Sequence, residues 1–206
     1  MVSLNRLSTY AVVSAALLAV PVFAQQARVG APAPDFTATD SRGQTETLAQ
    51  YRGKYVVLEW HNQGCPYTRK HYVSGNMQAL QKEWTGKGVV WFTVISSAPG
   101  QQGYVTPAEE NAYLSQMHAV PTAVLMDSAG KIGRLYNAKT TPQMIVIDPS
   151  GKLIYDGAID NRPTPDAEDI KGADNYVSDA LTEAMAGKPV GTPFTRPYGC
   201  GVKYPD

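Results

Sequence analysis

Two sulfurs are available for chemistry in this 206-residue chain, Cys65 and Cys200, and their surroundings differ. Cys65 follows His61-Asn62-Gln63-Gly64 and precedes Pro66. That order places it where a turn becomes a helix, with proline as a first helical residue whose φ is preset and which has no N–H to leave unsatisfied. A cysteine at such an N-cap faces free backbone N–H groups and the positive end of the helix dipole, and both favour thiolate over thiol. The thiolate is the nucleophile, and in settings of this kind the pKa falls from ~8.5 to about 3.5–7.5. Cys200 lies in Arg196-Pro197-Tyr198-Gly199-Cys200-Gly201, where glycines on each side let the backbone bend close to a partner sulfur. Cys65 is thus the candidate nucleophile and Cys200 the candidate resolving thiol. Attack on a disulfide or a peroxide would give a mixed disulfide or a sulfenic acid, and Cys200 would then close an internal disulfide. An external thiol reductant would reset the pair. A permanent Cys65–Cys200 bridge is the alternative, since closing so long a loop stabilises a fold by about 4–5 kcal/mol in the chain-entropy model.

Neighbouring residues extend the candidate site. Glu59 interrupts an apolar run, either as a buried proton acceptor or as a residue facing solvent at an edge. His61 could move a proton beside Cys65, or could simply satisfy a local hydrogen bond. Trp60 and Tyr67 flank the cysteine and could line a substrate groove, whereas Trp84 and Trp91 read as core. Metal delivery through His61 and Cys65 is a rival class, but only one cysteine lies near this histidine, and His71 and His118 stand as unpaired extras. No resident metal and no cofactor are expected.

The elements that must position these residues follow from hydrophobic period. Tyr55 to Trp60 and Val89 to Ile95 are near-continuous apolar runs, the pattern of strands covered on both faces. Met144–Ile147 and Lys152–Tyr155 flank the turn Asp148-Pro149-Ser150-Gly151 and read as a hairpin. Thr122 to Asp127 is a further extended piece. A helix is predicted from Pro66 to Trp84, with Val73, Met77, Leu80 and Trp84 on one face and a kink at Gly75. Thr106-Pro107-Ala108-Glu109 is a capping box with proline at the first helical position, opening a helix to about Met117. Tyr176 to Ala186 places Val177, Ala180, Leu181, Ala184 and Met185 on one side and stops at Gly187. Strands alternating with helices and closing on a hairpin and a helix give an α/β sandwich around a central mixed sheet.

Composition fits one globular domain: 43% of residues are hydrophobic and 17% charged. Basic and acidic residues balance at 18 each, so nothing marks the chain as a binder of nucleic acid. Arg6, the apolar run from Tyr10 to Val20 and the ending Val22-Phe23-Ala24 have the form of a secretory signal, too short to span a bilayer comfortably. The expected organisation is a signal over 1–24, a redox domain over 25–190 and a C-terminal tail over 191–206 that carries Cys200. A periplasmic or secreted location follows, with no stable membrane insertion after cleavage.

Several motifs carry a family resemblance. Gly64-Cys65-Pro66-Tyr67-Thr68 resembles the active-site turn of thioredoxins and glutaredoxins, with Thr68 in place of the second cysteine. Thr140-Thr141-Pro142, just ahead of the strand from Met144, resembles the cis-proline loop of that fold. The resemblance implies that Pro142 packs against Cys65 and that Thr141 offers backbone hydrogen bonds to an extended substrate. Val29-Gly30 through Pro34-Asp35-Phe36, then Tyr51-Arg52-Gly53-Lys54, is similar to the opening of the alkyl hydroperoxide reductase / thiol-specific antioxidant (redoxin) branch and of related exported thiol–disulfide oxidoreductases. It covers roughly Val29 to Gly187 and implies a thioredoxin-like fold and a thiol oxidoreductase acting on a disulfide-bearing protein or a peroxide. Peroxiredoxins place a threonine or serine three residues before the reactive cysteine and a proline four before that. Asn62 and Leu58 stand at those positions, which favours disulfide exchange.

Overall fold

The computed structural model describes residues 26–206, so the expected export signal lies outside the described residues. A short hairpin, β1 (Thr37–Thr39) and β2 (Thr45–Thr47), turns at Asp40, whose carboxylate accepts the N–H groups of Arg42 and Gln44. β3 (Val56–Trp60) follows, then α1 (Pro66–Val73), α2 (Asn76–Gly86) and β4 (Val90–Ile95). After α3 (Pro107–Gln116), β5 (Ala123–Met126) and α4 (Lys131–Leu135), the two-residue strand β6 (Thr140–Thr141) leads into the β7 (Gln143–Ile147) and β8 (Leu153–Gly157) hairpin. α5 (Tyr176–Met185) and a second two-residue strand, β9 (Cys200–Gly201), complete the chain.

The main sheet has the order β5-β4-β3-β7-β8. β3, β4 and β5 run parallel, whereas β7 is antiparallel to both β3 and β8. This is the central mixed sheet that the apolar runs predict, in the thioredoxin-like α/β arrangement that the resemblance implies. Every residue of β3 and β4 is buried, because helices and loops cover both faces. Side chains alternate across a strand, and the two cores sort accordingly. Val56, Leu58 and Trp60 join Phe36, Phe92, Leu125, Tyr136 and Ile145 on one side. Val57 joins Met77, Trp84, Trp91, Val146 and Leu181 on the other, beneath α2 and α5. The parity that sends Trp60 one way sends Glu59 the opposite way.

The long helix predicted from Pro66 is two helices. Gly75, at φ +76°, takes the left-handed conformation and re-aims the chain between α1 and α2. Met77, Leu80 and Trp84 face the core as expected, but Val73, on the far side of the break, is 59% exposed. Met185 is also exposed, because α5 ends there. The capping box at Thr106 forms as read, Glu109 N–H donating to Thr106 Oγ1 while Thr106 N–H donates to the Glu109 carboxylate.

The C-terminal arm has no periodicity but is not loose. Phe194 bridges to Asp156, and Thr195 Oγ1 accepts the Ala158 N–H at 2.9 Å. β9 then pairs antiparallel with β6, Thr141 opposite Cys200 and Thr140 opposite Gly201. Further on, Tyr204 donates to the Ala138 carbonyl at 2.7 Å.

In urea unfolding, Leu58→Ala should cost about 2–5 kcal/mol, as a cavity in a fully packed strand. Val73→Ala should change stability by no more than about 0.5 kcal/mol. Equal losses at the two positions would restore the unbroken helix.

Candidate active site

The turn between β3 and α1 sets Cys65 at the N-cap of α1, with φ −83° and ψ 121° and Pro66 as the next residue. Its own N–H donates to the Asn62 carbonyl at 3.0 Å, and its carbonyl accepts the Arg69 N–H at 2.8 Å. The bond Thr141–Pro142 is cis, as the resemblance implies, and it brings the Thr141 carbonyl 3.0 Å from Cys65 Sγ. β9 lies on the outer side of Thr141, so Cys200 reaches the same sulfur from the arm. Both cysteines are free thiols. The sequence suggests an accessible sulfur, but Cys65 is 0% exposed. The arm lies against it, through the Cys200 thiol and backbone.

Burial disfavours a thiolate at Cys65. Opposing it are the Cys200 thiol, Thr141, the Thr68 amide at the helix start and the Cys200 backbone, and together they bring the Cys65 pKa below its ordinary value. Cys200 moves the other way, to about 11, through burial and through its place beside Cys65. Of the two thiols, Cys65 is the one that loses its proton more readily.

Beneath the turn is a second polar layer. Glu59, 0% exposed, accepts from Tyr72 Oη at 2.7 Å, Trp91 Nε1 at 2.8 Å, Gln81 Nε2 at 3.2 Å and Thr93 Oγ1 at 3.4 Å. Of the two readings of Glu59, the buried one is the geometry found, because β3 has neighbours on both sides. His61 sits between two carboxylates, with Nδ1 3.7 Å from Glu59 and Nε2 3.4 Å from Glu110. These are ion-pair distances rather than tight hydrogen bonds, and the Glu110 oxygens have no hydrogen-bond partner among the described residues. Tyr72 and Tyr113 pack edge-on or tilted around the imidazole. Burial works against a charge on His61, but Glu110, Glu59 and Cys65 outweigh it and raise its pKa. Burial raises Glu110, which His61 partly offsets.

Other sequence-derived candidates fall elsewhere. Trp60 lines no groove: it is fully buried on the opposite face, tilted against Tyr136 and donating to Ser96 Oγ at 3.2 Å. Tyr67 is partly exposed and meets Tyr198 edge-on at 6.0 Å. Asn62, where a peroxiredoxin has a hydroxyl, is committed to shaping the loops, accepting the Gly64 N–H at 2.8 Å and donating to Gln102 at 3.0 Å. Thr68, at the place of a second motif cysteine, is buried with its hydroxyl unpartnered.

Sequence reasoning missed Glu110. An acidic residue in a first helical turn reads as a partner for the helix dipole, but Leu114, four residues on, is also buried, and that spacing puts Glu110 on the inner face. Missed too were Tyr198 and Asp160, which meet only through the fold.

Cys200→Ala removes a donor to the Cys65 sulfur, so the midpoint of the ultraviolet thiolate absorbance should move to higher pH; an unmoved midpoint would remove Cys200 from the charge balance. His61 gains its proton more readily folded than unfolded. Its contribution to stability is therefore complete below its ordinary value of 6.5 and fades as pH rises through the higher folded value. Glu110→Gln should accordingly destabilise by about 3 kcal/mol in mildly acidic solution, with the penalty shrinking toward alkaline pH. Urea unfolding across pH, with imidazole NMR, checks the sign.

No curated protein sequence matches this chain. Two solved structures share the fold over most of it. One is an uncharacterized conserved protein from Geobacillus kaustophilus, with 22% identity and a TM-score of 0.72 over 86% of this chain and 93% of that one. The other is a hypothetical protein from Sinorhizobium meliloti, with 22% identity and a TM-score of 0.73 over 88% and 97%. A protein from Chlorobium tepidum assigned as a thiol:disulfide interchange protein is 25% identical, with a TM-score of 0.51 over 63% of this chain and 84% of that one. The AhpC/TSA family profile matches residues 29–156, which is more than half the chain and includes the turn of Cys65 and the cis-proline loop, and the protein belongs to the AhpC/TSA family.

Proposed function

We propose that this protein is an exported thiol–disulfide oxidoreductase, with Cys65 as nucleophile and Cys200 as resolving thiol. The observation that carries the reading is the register of β6 and β9, which sets Cys200 opposite Thr141 while the Thr141 carbonyl touches Cys65 Sγ. A thiol 135 positions away in sequence is thereby held against the sulfur that ionises more easily.

In the forward direction the Cys65 thiolate attacks one sulfur of a substrate disulfide. A Cys65–substrate disulfide forms, and the other substrate sulfur leaves as a thiolate. Cys200 then gives up its proton and attacks Cys65 Sγ, which forms the Cys65–Cys200 disulfide and releases the second substrate thiolate. The substrate gains two electrons and the protein loses two; a dithiol reductant restores them. Thr141 and Pro142 would receive an extended substrate along the β6 edge. Glu59 and His61, with Glu110, are the groups placed to hold or pass the protons that appear and disappear at the sulfurs.

Disulfide exchange is favoured over peroxide reduction because the position for a peroxide-holding hydroxyl carries Asn62, with its amide engaged elsewhere. Export rests on the N-terminal pattern from Arg6 to Ala24. Among the described residues no helix is long and apolar enough to cross a membrane.

Reduction of insulin by the purified protein with a dithiol reductant tests the reading. Cys65→Ser should fall to background. Cys200→Ser should retain one round of attack and accumulate a mixed disulfide at about one per chain on non-reducing mass analysis. Rapid consumption of hydrogen peroxide without insulin reduction would replace exchange by peroxide chemistry.

A further inference from the structure

We propose that Tyr198, held by Asp160, His71 and Lys70, is a latch that fixes the arm over Cys65, and that an external substrate reaches Cys65 only when this latch opens. The inference rests on the reading of Cys65 and Cys200 as a working pair and names what regulates their meeting.

The latch is a built polar site. Tyr198 stands two residues before Cys200, and its hydroxyl donates to Asp160 Oδ1 at 2.5 Å. The Arg162 N–H donates to the same oxygen at 2.9 Å. His71 Nε2 lies 3.3 Å from the Tyr198 oxygen and 3.9 Å from Asp160 Oδ2. Its other nitrogen, Nδ1, accepts from the Asn76 amide at 2.9 Å, which leaves the proton on Nε2, facing the tyrosine. Burial and neighbouring Lys70 lower the His71 pKa to about 3, so the ring is neutral at neutral pH. Lys70 Nζ lies 5.1 Å from the centre of the Tyr198 ring and 3.8 Å from Asp160 Oδ1. Lys70, His71 and Asp160 are each at most 2% exposed. Three buried polar side chains of the domain thus converge on one tyrosine of the arm.

The arm itself is held more lightly. None of its residues from Gly191 to Asp206 is buried. Anchors at Thr195 and Tyr204 bracket the covering stretch. Between them the backbone is held by the two-residue pairing of β9 with β6, by Val202 N–H donating to the Lys139 carbonyl at 3.0 Å and by the Lys203 carbonyl accepting the Ala98 N–H at 2.8 Å. Gly199, at φ +131°, passes so close to Thr141 that a Cβ there would lie 2.0 Å from its carbonyl oxygen. Few buried apolar contacts and a short ladder are the marks of a segment that opens locally, well below global unfolding. The covering stretch occupies the strand position that an extended substrate would take beside Thr141. Latched, Cys65 meets Cys200 alone; unlatched, it meets a substrate, and relatching returns Cys200 for the second exchange.

The test measures alkylation of Cys65 by iodoacetamide, by mass spectrometry, in the full chain with Cys200→Ser throughout, so that no redox cycling is needed. Tyr198→Phe, which removes the hydroxyl donor, and Asp160→Ala, which removes its acceptor, should each speed alkylation about ten-fold or more over Cys200→Ser alone. Gly199→Ala, which pushes the arm off Thr141 while leaving every latch side chain in the sequence, should do the same. Thermal midpoints recorded alongside should move little, which separates arm opening from general loosening. Equal rates across the set, fast or slow, overturn the latch. Faster alkylation in the variants, with no insulin reduction by the wild type, supports the latch and overturns disulfide exchange.

Discussion

The contact on which the rest of this site depends is the pairing of two short strands, Thr140–Thr141 with Cys200–Gly201. Each is too short to persist alone. β6 is fixed because Pro142 and β7 continue directly into the central sheet, and β9 is fixed because the arm is pinned on either side of it. Once paired, they bring a sulfur from near the end of the chain to one at a helix start. The ionisation of both thiols then follows from proximity: one thiol group donates, the other accepts, and their pKa values separate. The same pairing removes Cys65 from solvent.

A second constraint lies one layer down. Glu59, His61 and Glu110 are buried together, an arrangement that is unfavourable unless charges and hydrogen bonds balance. Glu59 is satisfied by four donors drawn from α1, α2 and β4. Glu110 has only the imidazole. The histidine therefore links one fully hydrogen-bonded carboxylate to one without a hydrogen-bond partner among the described residues, and its protonation changes the local charge below Cys65. Clusters of buried, perturbed titratable groups of this kind are candidate functional sites.

Much of this was legible in the sequence. Continuous apolar runs marked β3, β4 and β7, and the Thr106 capping box marked the start of α3. Cys65 at an N-cap needed only Gly64 before it and Pro66 after it. A strand that is apolar on both faces, however, does not say which face is which, so Trp60 could be read as a groove wall when it belongs to the core. The break at Gly75 lies within an otherwise regular helical pattern, and period alone placed Val73 inside. Glu110 stands beside the capping residue Glu109, and only the burial of Leu114 one turn on marks its face as the inner one. The meeting of Tyr198 with Asp160, 38 residues away, and with His71, 127 away, has no local signature. Contacts of that range emerge only when sheet order and arm path are both known.

The covered sulfur has one more consequence. In an oxidising compartment an exposed thiolate climbs from sulfenic to sulfinic acid, beyond the reach of ordinary thiol reductants. On the proposed reading, a nucleophile shielded by its own resolving thiol would meet stray oxidants rarely. If one does reach it, the first product forms beside a thiol that can trap it as a disulfide before a second oxygen arrives. Acidity and exposure, which usually rise together in cysteines, are here separated by one segment, the arm that carries Cys200.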